Sequence, residues 1–135
     1  MFESNPDILG ISETWLHDGI DSSEIHIPNY NVLQKERGDG HGGVAIYVSS
    51  RLVAHQIHLS DVQLSKVETL WMTLKLPNTH PIYTGIVYSP NACNEFFEEL
   101  ELVFDEIIGI DAGTRTQGEI ICLGDFNCDS YKPND

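Results

Sequence analysis

The apolar run Ile120-Ile121-Cys122-Leu123 ends abruptly in Gly124-Asp125-Phe126-Asn127, and this break constrains the fold more than any other feature of the chain. A strand that stops on a glycine, a carboxylate and a carboxamide carries polar groups to its C-terminal end. Side chains two positions apart on an extended backbone share a side. The pattern therefore predicts a buried strand that delivers Asp125 and Asn127 to one rim of a sheet. A second element of the same make-up lies upstream in Asp7-Ile8-Leu9-Gly10-Ile11-Ser12-Glu13-Thr14-Trp15-Leu16, a short apolar strand closing on Glu13. Two strands thus bring two carboxylates to a rim.

At 135 residues, 41% of them hydrophobic, the chain fits a single domain with an ordinary core. No apolar stretch approaches the roughly 20 residues that cross a bilayer, and Met1 to Pro6 has neither the basic nor the apolar part of a signal peptide. The expectation is an intracellular protein with no membrane partner. Cys93, Cys122 and Cys128 are odd in number and lack CxxC spacing, which favours reduced, hydrophobic cysteines over a disulfide or zinc framework. A net charge of -14 with seven Lys and Arg residues opposes tight nucleic-acid binding by this chain alone, because such binding draws its strength from cations that displace counterions. A bound divalent cation would reverse the local sign.

Between these ends, His17 to Asn31 has the Asp, Ser, Pro and Asn content of a surface loop. Gly38 to Gly43 turns the chain into the β-branched and aromatic strand Val44 to Val48. In Glu68 to Leu76, Leu70, Met72, Leu74 and Leu76 alternate with Thr69, Trp71, Thr73 and Lys75, which predicts a strand with one buried face. Pro77 to Pro81 forms a turn, and Ile82 to Tyr88 follows as a hairpin partner or a neighbouring strand. Asn94 to Ile108 repeats Phe96, Phe97, Leu100, Val103, Phe104, Ile107 and Ile108 at helical spacing, with acidic residues on the remaining positions as a solvated face. Asp111 to Gly118 is a loop into the last strand, and Ser130 to Asp135 a polar end.

Hydrolysis of a phosphate ester needs a hard cation, a group that orients or deprotonates water, and donors for charge developing on phosphoryl oxygens. Glu13, Asp125, Asn127 and Tyr88 are residues of those types. Magnesium is commonly held by one or two carboxylates with water completing its shell, which suits Glu13 as ligand and Asp125 beside it. Taken singly, each short pattern has a commoner meaning: Glu13 as a helix-start acid, Asp125 and Asn127 as turn formers, Tyr88 and Trp15 as packed aromatics. The Gly38 to Gly43 loop, with Lys35 and Arg37 near it, could admit a phosphate backbone, although glycine-rich turns are usually only turns. None of His17, His26, His41, His55, His58 and His80 has metal-ligand spacing, and only His41 lies near a substrate path.

The ordered set Ile11-Ser12-Glu13-Thr14-Trp15-Leu16, Gly42-Gly43-Val44-Ala45-Ile46-Tyr47-Val48, Glu68-Thr69-Leu70-Trp71, Val87-Tyr88-Ser89-Pro90 and Leu123-Gly124-Asp125-Phe126-Asn127 resembles the endonuclease/exonuclease/phosphatase superfamily. More narrowly it is similar to the endonuclease domain of non-LTR (LINE-like) retrotransposon reverse transcriptases. The resemblance spans residues 7 to 127 and implies an α/β fold, a DNase I-like sandwich of two sheets. It implies that Glu13 binds Mg2+ or Mn2+ with help from Asp125, and that Asp125 orients or activates water. It further implies that Tyr88 donates to the scissile phosphate and Asn127 holds phosphate and neighbouring side chains. Glu68 and Trp71 take structural places in it. DNA is the implied ancestral substrate, and the nucleus the implied location if the element is active. The family's asparagine on an earlier strand and its Ser-Asp-His segment have no counterpart in this sequence. Residues 1–135 are accordingly expected to form a partial domain, truncated at both ends, with impaired activity. A non-catalytic remnant or binding module of the same fold is the alternative, and a phosphatase or lipid phosphodiesterase a weaker one.

Overall fold

The computed structural model describes residues 5–35, 41–59, 64, 67–90, 94–112 and 118–127. Two sheets face one another. The first is antiparallel, with β3 (Val44–Ser49) between β1 (Ile8–Ser12) and β2 (Tyr30–Lys35). The second runs in the order β4 (Val53–Ile57), β5 (Glu68–Lys75), β6 (Ile82–Tyr88) and β7 (Glu119–Asp125). Its first three strands are antiparallel, whereas β7 pairs parallel to β6. A parallel neighbour cannot be reached through a hairpin. The connection is made by helix α1 (Asn94–Ala112).

Two apolar layers result. Val44, Ile46 and Val48 from β3 meet Leu70, Met72, Leu74, Ile86 and Tyr88 between the sheets. On the outer face of the second sheet, Trp71, Tyr83 and Val87 pack against Phe96, Leu100, Val103 and Ile107 of α1. Those four helical residues recur at the spacing that makes one apolar stripe. Trp71 is wholly buried, and its indole lies over Gly85, its register partner on β6. A Cβ at Gly85 would stand 2.2 Å from the ring, so this position must be glycine for the indole to lie flat on the sheet. The indole N–H donates to Thr69 Oγ1 at 2.6 Å, and Thr69 Oγ1 donates to the Ile86 carbonyl at 3.0 Å. The polar ends of Trp71 and Thr69 are thereby satisfied.

Three expectations are corrected. The strand Glu68 to Leu76 was expected to bury one face, but β5 is buried on both, because α1 covers the Thr69 and Trp71 side. The strand ending at Asp125 was expected to be buried. Instead β7 forms the open edge of its sheet among the described residues, with only Cys122 partly covered. Tyr30–Lys35 and Val53–Ile57, not foreseen as strands, are the outer strands β2 and β4. Such strands pair on one side only and carry polar residues, so their pattern is weak in sequence. The loop from His17 also contains a short 3-10 helix, Ser22–Ile25, capped by Asp21 and Glu24.

Among the described residues no helix is long and apolar enough to cross a membrane. Cys122 is a free thiol, and burial pushes its pKa up to about 11. Cys93 and Cys128 lie outside the described residues.

Candidate active site at the sheet rim

Three adjacent strands of the second sheet reach the same end of the sandwich in register. Glu68 on β5 pairs with Tyr88 on β6, which pairs with Asp125 on β7. Laterally paired residues share a face of the sheet. Tyr88 belongs to the layer between the sheets, so this row faces the first sheet. There β1 ends at Ser12 and Glu13 follows it. The Tyr88 hydroxyl donates to Glu13 Oε1 and joins the two sheets across 75 residues of sequence.

The turn carrying Glu13 is held at several points. The Thr14 N–H donates to the Gly43 carbonyl at 3.3 Å and the Trp15 N–H to the Gly42 carbonyl at 2.8 Å. The Gly43 N–H in turn donates to Glu68 Oε2 at 2.7 Å. Glu13, Thr14, Gly43, Glu68 and Tyr88 therefore form a closed circuit of covalent links, hydrogen bonds and register pairing. Gly42 and Gly43 have φ of 62° and 87°, which glycine adopts freely and which presents both carbonyls to the Glu13 turn. Glu13 and Trp15 adopt φ of 53° and 56° without that freedom. Left-handed backbone at such residues is uncommon and persists where the surroundings enforce it.

Asp125 and Asn127 are held at the ends of β6 and β7. Asp125 Oδ1 accepts from the Asn127 N–H at 3.1 Å, while its carbonyl accepts from the Ser89 N–H at 3.1 Å. The Asn127 carboxamide donates to the Ser89 carbonyl. Asn127 has φ of 47°, a conformation that asparagine tolerates better than most residues. The turn follows the strand immediately, so Asn127 does not continue the alternation expected from Asp125. Between them, Phe126 turns inward toward Phe96 of α1, with ring centroids 6.0 Å apart.

All four sequence candidates thus end at one rim. Glu13 and Tyr88 are in direct contact, Tyr88 and Asp125 are register partners, and Asn127 is attached through Ser89. The Tyr88 hydroxyl donates to Glu13. One expected feature takes another form. Trp15, expected to pack, is 55% exposed and stands beside His41, their rings edge to face at 4.7 Å. Of the glycine-rich loop, residues 36–40, which include Arg37, lie outside the described residues. Sequence reasoning treated Glu68 as structural. Its place opposite Tyr88 comes from the β5–β6 register, and its bond to Gly43 required the two sheets to meet.

The rim suits a hard, hydrated cation. Glu13 and Asp125 are both exposed, and each has one carboxylate oxygen engaged by the protein. Among the described residues no group of three or more His, Cys, Asp and Glu side chains forms a metal cage. One or two carboxylates are what commonly holds an ion that keeps several waters.

A model of the endonuclease/exonuclease/phosphatase family matches residues 1–133. No curated protein sequence matches. Among solved structures, the human Nocturnin catalytic domain with bound sulfate anion is similar with a TM-score of 0.64 at 18% identity, over 94% of this chain and 53% of that one. Truncated Caenorhabditis elegans TDP2 is similar with a TM-score of 0.57 at 16% identity, over 96% of this chain and 53% of that one. The chain spans about half the length of these structures. At such identities the likeness establishes the fold, the two-sheet α/β sandwich of DNase I type.

Proposed function

Because the chain belongs to the endonuclease/exonuclease/phosphatase family, we propose that its rim serves hydrolysis of a phosphodiester in DNA, as in the endonuclease part of a LINE-like reverse transcriptase. The contact of Tyr88 with Glu13 carries this reading, since it sets a carboxylate of one sheet beside the strand end that bears Asp125 in the other. Mg2+ or Mn2+ would be held by Glu13 with help from Asp125. When bound, such an ion polarises a phosphoryl oxygen and neutralises developing charge.

The chain's own residues have distinct tasks around that point. Glu13 presents the ligand oxygen, and Tyr88 fixes its orientation by donating to the other one. Asp125 is placed to accept a proton from, or orient, an attacking water. Asn127 keeps Asp125 in place through its N–H and clips the strand end to Ser89. Several preorganised donors normally share the charge of the transition state, and loss of one costs roughly a hundredfold or more in rate. The Ser-Asp-His segment of the resemblance does not occur in residues 1–135. Nicking by this chain alone is therefore expected to be weak.

Cation binding provides the direct test. Calorimetric titration with MgCl2 or MnCl2 should give weak heats in the wild-type chain that Glu13→Gln removes. Equal heats from both proteins would eliminate Glu13 as a ligand. Supercoiled-plasmid nicking that needs magnesium and vanishes in Asp125→Ala would show that these residues suffice for hydrolysis. The alternative is a non-catalytic binding module of the same fold. It is favoured if cation heats are absent while nucleic-acid binding is retained.

A further inference from the structure

Among the described residues Trp15 is a large aromatic side chain that the rim leaves largely uncovered. The chain has two tryptophans, and the contrast between them is complete: Trp71 is 0% exposed, whereas Trp15 is 55% exposed. An isolated exposed aliphatic side chain needs no explanation, but an exposed indole held firmly in place does. Three features hold it. The Trp15 N–H donates to the Gly42 carbonyl, the preceding Thr14 donates to Gly43 through its N–H and to Gly42 through its hydroxyl, and the indole rests against His41. The left-handed φ of Trp15 is uncommon for a bulky residue, and the ties on either side enforce it. The backbone that carries the ring is consequently held two residues from Glu13, with the indole against His41.

We propose that Trp15, backed by His41, is a stacking platform for a nucleobase next to the phosphodiester held at Glu13 and Asp125. The inference rests on the hydrolytic reading of the rim and adds how the strand is positioned there. A base offers a flat π face to an indole, and such stacking tolerates any base, which suits positioning without sequence readout. It also addresses the charge problem. A chain of net charge -14 gains little from backbone contacts, so affinity must come from contacts that need no cation. A preordered indole provides such a contact with little further loss of side-chain freedom on binding.

The two environments make the test direct. Trp71 is shielded, so quenching of intrinsic fluorescence by a solute reports Trp15. Titration at low salt with a short single-stranded oligodeoxyadenylate should quench the exposed component, and an abasic oligonucleotide of the same length and charge should not. Binding of a labelled oligodeoxyadenylate should weaken about fivefold to a hundredfold in Trp15→Ala, the range that corresponds to loss of one base–aromatic stack. Trp15→Phe should recover most of it. Equal quenching by base-bearing and abasic strands, or unchanged affinity in Trp15→Ala, overturns the platform. Base-dependent quenching in a chain that gives no magnesium heat keeps the platform while removing the hydrolytic reading. Magnesium heats without base-dependent quenching do the reverse.

Discussion

Strands β6 and β7 lie side by side in parallel register, end at the same rim and have similar apolar content, yet their environments are opposite. Ile86 is 3% exposed and Val87 0%, whereas Ile121 is 42% exposed and Leu123 39%. β6 has a strand on each side, a sheet facing it and a helix behind it. Among the described residues β7 pairs with β6 alone. An apolar run therefore tells that a segment can be buried, while neighbours decide whether it is. The rim inherits this asymmetry: Tyr88 is set in the core, and Asp125 stands at the end of an open edge. Seven-residue apolar edges are liable to pair with other strands.

The sharpest way to break this comparison is to truncate register partners. Ile86→Ala should cost about 2–4 kcal/mol in urea unfolding, as core truncations do. Leu123→Ala, at its partner position, should cost less than about 1 kcal/mol. Equal losses would mean that β7 is covered in solution.

Cys122 tests the same edge by chemistry. Burial raises its thiol from 9.0 to about 11, so the neutral form prevails up to that range. The unfolded chain loses this proton first, so the stability associated with the thiol is present below pH 9 and lost as pH rises toward 11. In a Cys93→Ser/Cys128→Ser background, iodoacetamide at pH 8 should alkylate the folded chain about tenfold slower than the unfolded one. Equal rates would place the thiol in full solvent.

Smaller effects separate the two strand ends. Tyr88→Phe removes the proton donated to Glu13, and because Glu13 is exposed the loss of stability should be about 1 kcal/mol. Magnesium heats should fall with it if Tyr88 orients the ligand; unchanged heats would show that Glu13 needs no such support. Asn127→Gly keeps the backbone freedom that φ of 47° requires and deletes the clip to Ser89. It should cost about 0.5 kcal/mol by thermal unfolding. A loss as large as that of Ile86→Ala would show that the edge strand depends on this one contact.

Residue order alone established much of the molecule. Alternation in Glu68 to Leu76, the turn at Pro77 to Pro81 and the following apolar run define the β5–β6 hairpin, and the helical repeat from Phe96 to Ile107 defines the stripe that packs on it. These signals are local, because backbone geometry sets their periods of two and 3.6 residues. The polar residues that end apolar runs, Glu13, Tyr88, Asp125 and Asn127, were likewise legible as candidates. Only the tertiary structure decided that Trp71 would be sealed under a helix while Trp15 stayed open, and that β7 would be an edge. It also decided that the Tyr88 hydroxyl would meet Glu13 and that Glu68 would hold the Gly43 amide. These outcomes depend on which surfaces meet across tens of residues, and burial and hydrogen-bond partners are properties of that meeting, not of a side chain's own chemistry.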